Sequence, residues 1–346
     1  MYKVIDKNTN TYLRYDSKES ILLKDKLKKI YNNNIIISNS GLNATSISIN
    51  TIINLYKNTN INIIYPKELY FENINLIQYY NKYYNCNLIS FDINNDDSII
   101  DIIKKVYLDN NIIIIESCIN HFGYIFNFDL IKIIKNISKY IYIICDNTWL
   151  SNIIFNPINL NIDIDIITIS LTKHYSGNNC ILGAIIIKDI DIYNTCNDYC
   201  IINGIHNSPL NVNIINNYIY FMKDRLINSS KLCKFALQYL NKYNIICIHP
   251  YLHNHISNHI CIKYFNQNIY PSTFLLETLK TKNELLYIIN KLKLIIVSIS
   301  FGSNETRIDK NIFSKNNKFY LRLSIGYDDI FNNLLLKLNE LIYYLK

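Results

Sequence analysis

Among its 346 residues the sequence holds only 7 glycines, 5 prolines, 2 methionines and 1 tryptophan. Few positions can therefore break helices or strands, and low-complexity Gly/Pro disorder is excluded. No apolar run approaches the roughly 20 residues that would span a bilayer. The opening MYKVIDKNTN has neither the charged n-region nor the apolar h-region of a signal peptide. Nine cysteines, an odd number, form no CxxC pair, which argues against a disulfide framework and for reduced thiols in the cytoplasm. No stretch concentrates five or six basic residues, so the net charge of +8 does not single out nucleic acid as a partner. The densest group, Lys24 to Lys29, reads as the polar face of a helix.

What is present is a chain 49% hydrophobic and 18% charged, with Asn-rich tracts interrupted every few residues by Ile-rich runs that need burial. Short apolar runs alternate with helical stretches from about residue 20 to 220. Candidate strands are Asn34–Ser38, Ile61–Tyr65, Leu88–Phe91, Asn111–Glu116, Ile141–Cys145, Ile164–Ser170 and Ile181–Ile187. The run of four isoleucines at 112–115 lacks polar alternation, as expected of a strand covered on both faces. The pattern predicts an α/β domain with a mostly parallel sheet. A helix from Gly41 to Tyr56 is expected to bury Leu42, Ile49, Ile52, Ile53 and Tyr56. Beyond 220 the reading is a smaller α+β domain. It has a long helix at about 211–240, strands near 259–264, 271–276 and 295–300, and a closing helix capped by Asp328 or Asp329. Phe331, Leu334, Leu338, Ile342 and Leu345 of that helix are expected to face inward.

Two strand ends carry chemistry. YIYIIC delivers DNTW, with Asp146 at the carboxyl end, and IDIITIS delivers LTKHYSG, with Lys173. Ligands of open parallel sheets bind beyond those ends. An amine that can form a Schiff base, and a carboxylate to protonate a ring nitrogen, are what pyridoxal 5′-phosphate (PLP) chemistry requires. A structural Asp–Lys ion pair fits the spacing as well. ISNSGLNA places Ser40-Gly41 between a strand and a helix, where free N–H groups can hold a phosphate, and Ser170 and Thr172 could add hydroxyls. His249, His253, His255 and His259 are the best metal candidate, but Pro250 interrupts them, and solvated loop histidines are the preferred reading, with no metal expected. His174 is expected to pack near a cofactor.

Together these segments resemble the PLP enzymes of Cys/Met metabolism, the cystathionine β-lyase and cystathionine γ-synthase group of trans-sulfuration enzymes. YLR (12–14), SGLNA (40–44), ELY (68–70), ESCIN (116–120), DNTW (146–149), SLTKHYSG (170–177), SFGSNET (300–306) and RLSIG (322–326) follow in family order from Tyr12 to the C-terminus. The resemblance implies the aspartate-aminotransferase-like PLP-dependent transferase fold (fold type I). It implies an N-terminal arm at 1–16, a PLP-binding domain at 17–220 and a substrate-side domain at 221–346. Lys173 is then the cofactor lysine and the mover of the Cα proton, Asp146 the partner of the pyridinium nitrogen, and Tyr70 the ring that stacks on the cofactor and assists proton transfer. Gly41, Leu42, Ser170 and Thr172 are implied to bind phosphate, with Tyr12 and Arg14 reaching that of the neighbouring subunit. Arg322, beside Ser300, takes the substrate carboxylate, and Asn120 contacts the ring hydroxyl. Such a site needs at least a homodimer, and the family pattern implies a homotetramer. DNTW and SFGSNET point to the β-lyase branch, hence α,β-elimination of L-cystathionine to homocysteine, pyruvate and ammonia in methionine biosynthesis. The γ-lyases and γ-synthases share most of these residues, and a decayed relative serving as a binding protein is the remaining alternative. The sequence departs from the family at Cys118, GNNC (177–180), Ser303 and the short stretch before Tyr12.

Overall fold

A computed structural model describes residues 5–6, 11–13, 15–56, 60–119 and 121–346. Two short strands, β1 (Ile5–Asp6) and β2 (Thr11–Tyr12), pair antiparallel. The chain divides into two compact units: Met1–Ile119, Ile125–Thr172 and Asn179–Ile219 form one; Asn120–Tyr124, Lys173–Asn178 and Tyr220–Lys346 form the other.

The first unit is built on seven strands: β3 (Asn34–Ser38), β4 (Ile61–Pro66), β5 (Cys86–Phe91), β6 (Asn110–Glu116), β7 (Ile141–Asp146), β8 (Ile166–Ser170) and β9 (Gly183–Ile187). Their order is β3-β9-β8-β7-β6-β4-β5. β4 to β8 pair in parallel, and β9 runs antiparallel to both β3 and β8. All seven expected strands are present within two or three residues. The isoleucines at 112–115 are all buried, as are those at 185–187, because helices cover the sheet. The helix Gly41–Tyr56 buries Ile49 and Ile52, but Leu42 is 36% exposed at its first turn, not inward as its spacing predicts.

The second unit carries β10 (Cys247–Ile248), β11 (Thr273–Thr278), β12 (Ile296–Val297), β13 (Arg307–Ile308), β14 (Phe313–Lys315) and β15 (Lys318–Ser324), in the order β10-β11-β15-β13-β12, with β14 also on β15. One face of this sheet (Phe274, Leu276, Ile308, Leu321, Leu323) packs on the helices Met222–Lys242, Lys282–Lys291 and Phe331–Leu345.

Four expectations for this region are corrected. The segment near 259–264 is a helix, Asn258–Tyr264, not a strand. It buries the consecutive pair Ile260 and Cys261 while Ile262 is exposed, a pattern that a seven-residue apolar alternation cannot distinguish in advance. The long helix at 211–240 is two helices, Pro209–Tyr218 and Met222–Lys242, joined by a 3₁₀ turn. The closing helix is capped by neither Asp328 nor Asp329: Asp329 is buried, accepts from the Thr306 N–H at 3.0 Å and pairs with Lys337 at 2.6 Å. Leu334, Leu338 and Ile342 of that helix are buried, but Phe331 is exposed and rests on Phe235.

The histidines also differ. His253 and His259 are exposed, yet His249 is fully buried, its Nε2 2.9 Å from the Pro271 carbonyl, and burial pushes its pKa down to about 4. It is a satisfied core histidine, not a solvated one. Among the described residues no group of three His, Cys, Asp or Glu could hold a metal, and no helix is long and apolar enough to cross a membrane.

Candidate active site

In the first unit, the carboxyl ends of β3, β6, β7 and β8 lie along one edge of the sheet, and they deliver Ser40-Gly41, Glu116, Asp146 and Ser170. The turn after β3 approaches the end of β8 so closely that a Cβ on Gly41 would sit 2.6 Å from the Ser170 Cβ. Ser40 Oγ accepts from the Asn43 N–H at 3.0 Å, and the Ala44 N–H bonds the Ser40 carbonyl at 2.9 Å. The first-turn N–H groups of Gly41 and Leu42 have no carbonyl within the helix to bond, so they suit an anion, with the helix dipole in support. Ser170 adds its hydroxyl next to Gly41. The Thr172 hydroxyl instead exchanges hydrogen bonds with the backbone of Leu182, at 3.2 and 3.3 Å.

Asp146 accepts from the Thr148 N–H at 2.9 Å, and the Thr148 hydroxyl in turn accepts from the Ser170 N–H at 2.8 Å. Burial raises the Asp146 pKa, an effect countered by Thr148 and by the nearby Asn73 side chain. A buried carboxylate that gains from a cationic partner suits a protonated ring nitrogen. Tyr70 precedes the helix Phe71–Tyr84, where its N–H donates to Glu116 Oε1 at 2.5 Å, and its ring is 40% exposed, as a stacking platform must be. Glu116, Asn73 and Thr148 were not singled out from the sequence. Thr148 and Glu116 had a signal, their places inside DNTW and at the start of ESCIN, and Asn73 had none.

In the second unit, Lys173 Nζ donates to Ser300 Oγ at 2.8 Å, and Ser300 donates to Asn178 Oδ1 at 2.6 Å. Asn178 Nδ2 closes the network on the Phe301 carbonyl at 2.7 Å. Asn178 is the first Asn of the GNNC departure, so that change is integrated into the lysine's surroundings. Burial, then the charges of Arg322 and Arg307, lower the Lys173 pKa to about 8. An amine so tuned has a far larger neutral fraction near physiological pH than an ordinary lysine, and that fraction can act as nucleophile and base. Arg322 is 3% exposed, with Nη2 2.5 Å from Asp309 Oδ2 and also donating to the Ile299 carbonyl at 2.5 Å. His174 is buried with its ring 5.6 Å from Phe301.

Tyr12 is 39% exposed at the end of β2, with its ring 6.1 Å from that of Tyr15. Arg14 and Asn120 lie outside the described residues. Each unit carries groups of the kind PLP needs: the first has anion-binding N–H groups at a turn too tight for a Cβ on Gly41 and a buried carboxylate, and the second has a lysine of lowered pKa.

A sequence profile of the family described as Cys/Met metabolism PLP-dependent enzyme matches residues 3–327. No curated protein sequence matches significantly. Among solved structures, cystathionine gamma synthase from Xanthomonas oryzae pv. oryzae, in complex with cystathionine, is similar at a TM-score of 0.84 and 18% identity, over 98% of this chain and 90% of that one. A putative O-acetylhomoserine (thiol)-lyase from Campylobacter jejuni with N′-pyridoxyl-lysine-5′-monophosphate gives 0.82 and 22%, over 96% and 88%. The apo methionine gamma lyase CalE6 from Micromonospora echinospora gives 0.84 and 15%, over 98% and 92%. The fold is thus that of the fold-type-I PLP enzymes, and the chain belongs to the PLP-dependent enzymes of Cys/Met metabolism.

Proposed function

We propose that the protein is a carbon–sulfur lyase that cleaves L-cystathionine by α,β-elimination, releasing homocysteine, pyruvate and ammonia. The observation that carries the reading is the lysine of lowered pKa, held by Ser300 on the unit that also bears the buried Arg322. PLP, held by Gly41, Leu42, Ser170 and Asp146, supplies an electron sink for the charge left at Cα. Arg322 takes the α-carboxylate, charge-assisted and fixed in place by Asp309. Lys173 removes the Cα proton. Ser300 keeps its amine from swinging away. The Cβ–S bond then breaks, the thiolate leaves with the bonding pair, and the aminoacrylate product takes up water to give pyruvate and ammonia.

Tyr12 and Arg14 serve the site of a neighbouring subunit, so the working unit is at least a homodimer. Nine cysteines outside any disulfide suit the reducing cytoplasm. The γ-cleaving or γ-replacing reaction is the second reading, favoured by the names of the similar structures. Incubating the PLP-loaded protein with L-cystathionine and identifying the keto acid separates the two. Pyruvate with homocysteine is expected; 2-oxobutyrate with cysteine would transfer the protein to the γ branch.

A further inference from the structure

Strand alternation gives the sheet of the second unit two unlike faces. Ile308, Leu321 and Leu323 point into the core, so Arg307, Asp309, Arg322 and Ser324 share the opposite face. Arg307 stands opposite Ser324, and the Asp309 N–H bonds the Arg322 carbonyl at 2.9 Å, so the two arginines are diagonal neighbours. Such neighbours have Cα atoms about 7–8 Å apart.

A single three-residue segment gathers the cations of this face. Ser298 Oγ lies 3.5 Å from Arg307 Nη1, the Ile299 carbonyl takes Arg322, and Ser300 takes Lys173. Asp309 compensates Arg322 at 2.5 Å. Arg307 has no carboxylate partner among the described residues, and its buried Nε lacks any hydrogen-bond acceptor there. A guanidinium left so poorly satisfied costs stability unless something else completes it. Its charge is also felt at Lys173.

We infer that Arg307 is a specificity-determining residue that binds a second anionic group on the substrate. The substrates it favours are α-amino acids whose side chain ends in a carboxylate a few atoms out from Cα. The inference rests on the proposed site, in which Arg322 holds the α-carboxylate, and adds the distal contact. With Arg322 already compensated by Asp309, Arg307 supplies the positive charge that the distal carboxylate meets.

L-2-aminoadipate and L-norleucine have side chains of equal length and differ in a terminal carboxylate against a methyl. Calorimetric titration of the PLP-loaded enzyme with each is expected to show aminoadipate bound at least about tenfold more tightly, the scale of a charge-assisted contact. The preference is expected to shrink with added salt. In Arg307→Met the ratio is expected to fall to near one, and Arg307→Lys, which keeps the charge, to retain part of it. Equal affinities in the unaltered enzyme would overturn the inference, as would a ratio unchanged in Arg307→Met. Equal weakening of both ligands in that variant would assign Arg307 to the α-carboxylate and overturn it too. A chain that takes up no PLP at all would instead sink the functional reading, and this inference with it.

Discussion

Lys173 is the residue whose environment is most specific to chemistry. A lysine at the end of a polar loop keeps a pKa near 10.4; here burial and two arginines bring it down to about 8. The consequence has a sign. Below pH 8 the amine is increasingly an ammonium, which cannot attack a carbonyl, so PLP uptake slows about tenfold per pH unit on the acid side and levels off above pH 8. Stopped-flow absorbance of PLP binding as a function of pH reads this directly. Arg322→Met removes the larger of the two repelling charges, raises the lysine pKa and moves the whole profile to higher pH. A profile that stays put in that variant would show that Arg322 does not tune the lysine. The sequence made Lys173 legible through LTKHYSG at a strand end. It could not show that Ser300, 127 positions away, holds the amine, because that pairing depends on tertiary packing.

At the scale of elements, the sheet of the first unit could be read in advance because its strands are unbroken apolar runs in a chain poor in breakers. The second unit was harder. Three of its strands, β10, β12 and β13, are only two residues long, and they are interleaved with helices of seven and ten residues, where the two periodicities overlap. The same contrast applies to the cradle. SGLNA announced a helix start, but nothing in the sequence showed that β9 runs antiparallel and brings Gly183 against the turn. There a Cβ would stand 2.2 Å from the Ser40 carbonyl oxygen and 2.5 Å from Ser38 Oγ. Both are backbone or short, tied groups, so little can move aside. Gly183→Ala is therefore expected to destabilise the protein by about 1–3 kcal/mol, the usual cost of overpacking. It is also expected to weaken PLP binding severalfold, because the displaced backbone is that of the anion cradle. Thermal unfolding with and without PLP checks both effects, and an alanine variant with unchanged melting and PLP affinity would show that the turn is not as tight as drawn.

For the whole molecule the open question is whether one chain suffices. Every group assigned to hold PLP or the substrate carboxylate is assigned to its own chain's site except the tyrosine and arginine of YLR, which the family resemblance assigns to the site of a neighbouring copy. Tyr12 is over a third exposed on the short β2 strand. Closed dimers are two-fold symmetric, so each arm of such a dimer serves the other subunit's site. That symmetry makes the arrangement testable without a structure of the assembly. Lys173→Ala and Arg14→Ala are each expected to be nearly inactive alone. Mixed, unfolded and refolded together in equal amounts, they form heterodimers in which one site combines an intact Lys173 with an intact Arg14 from the partner. Half of the dimers are then mixed and each has one good site of two, so about a quarter of normal activity returns. If the arm served its own chain's site, no pairing of the two variants could assemble a complete site, and the mixture would stay as inactive as its components.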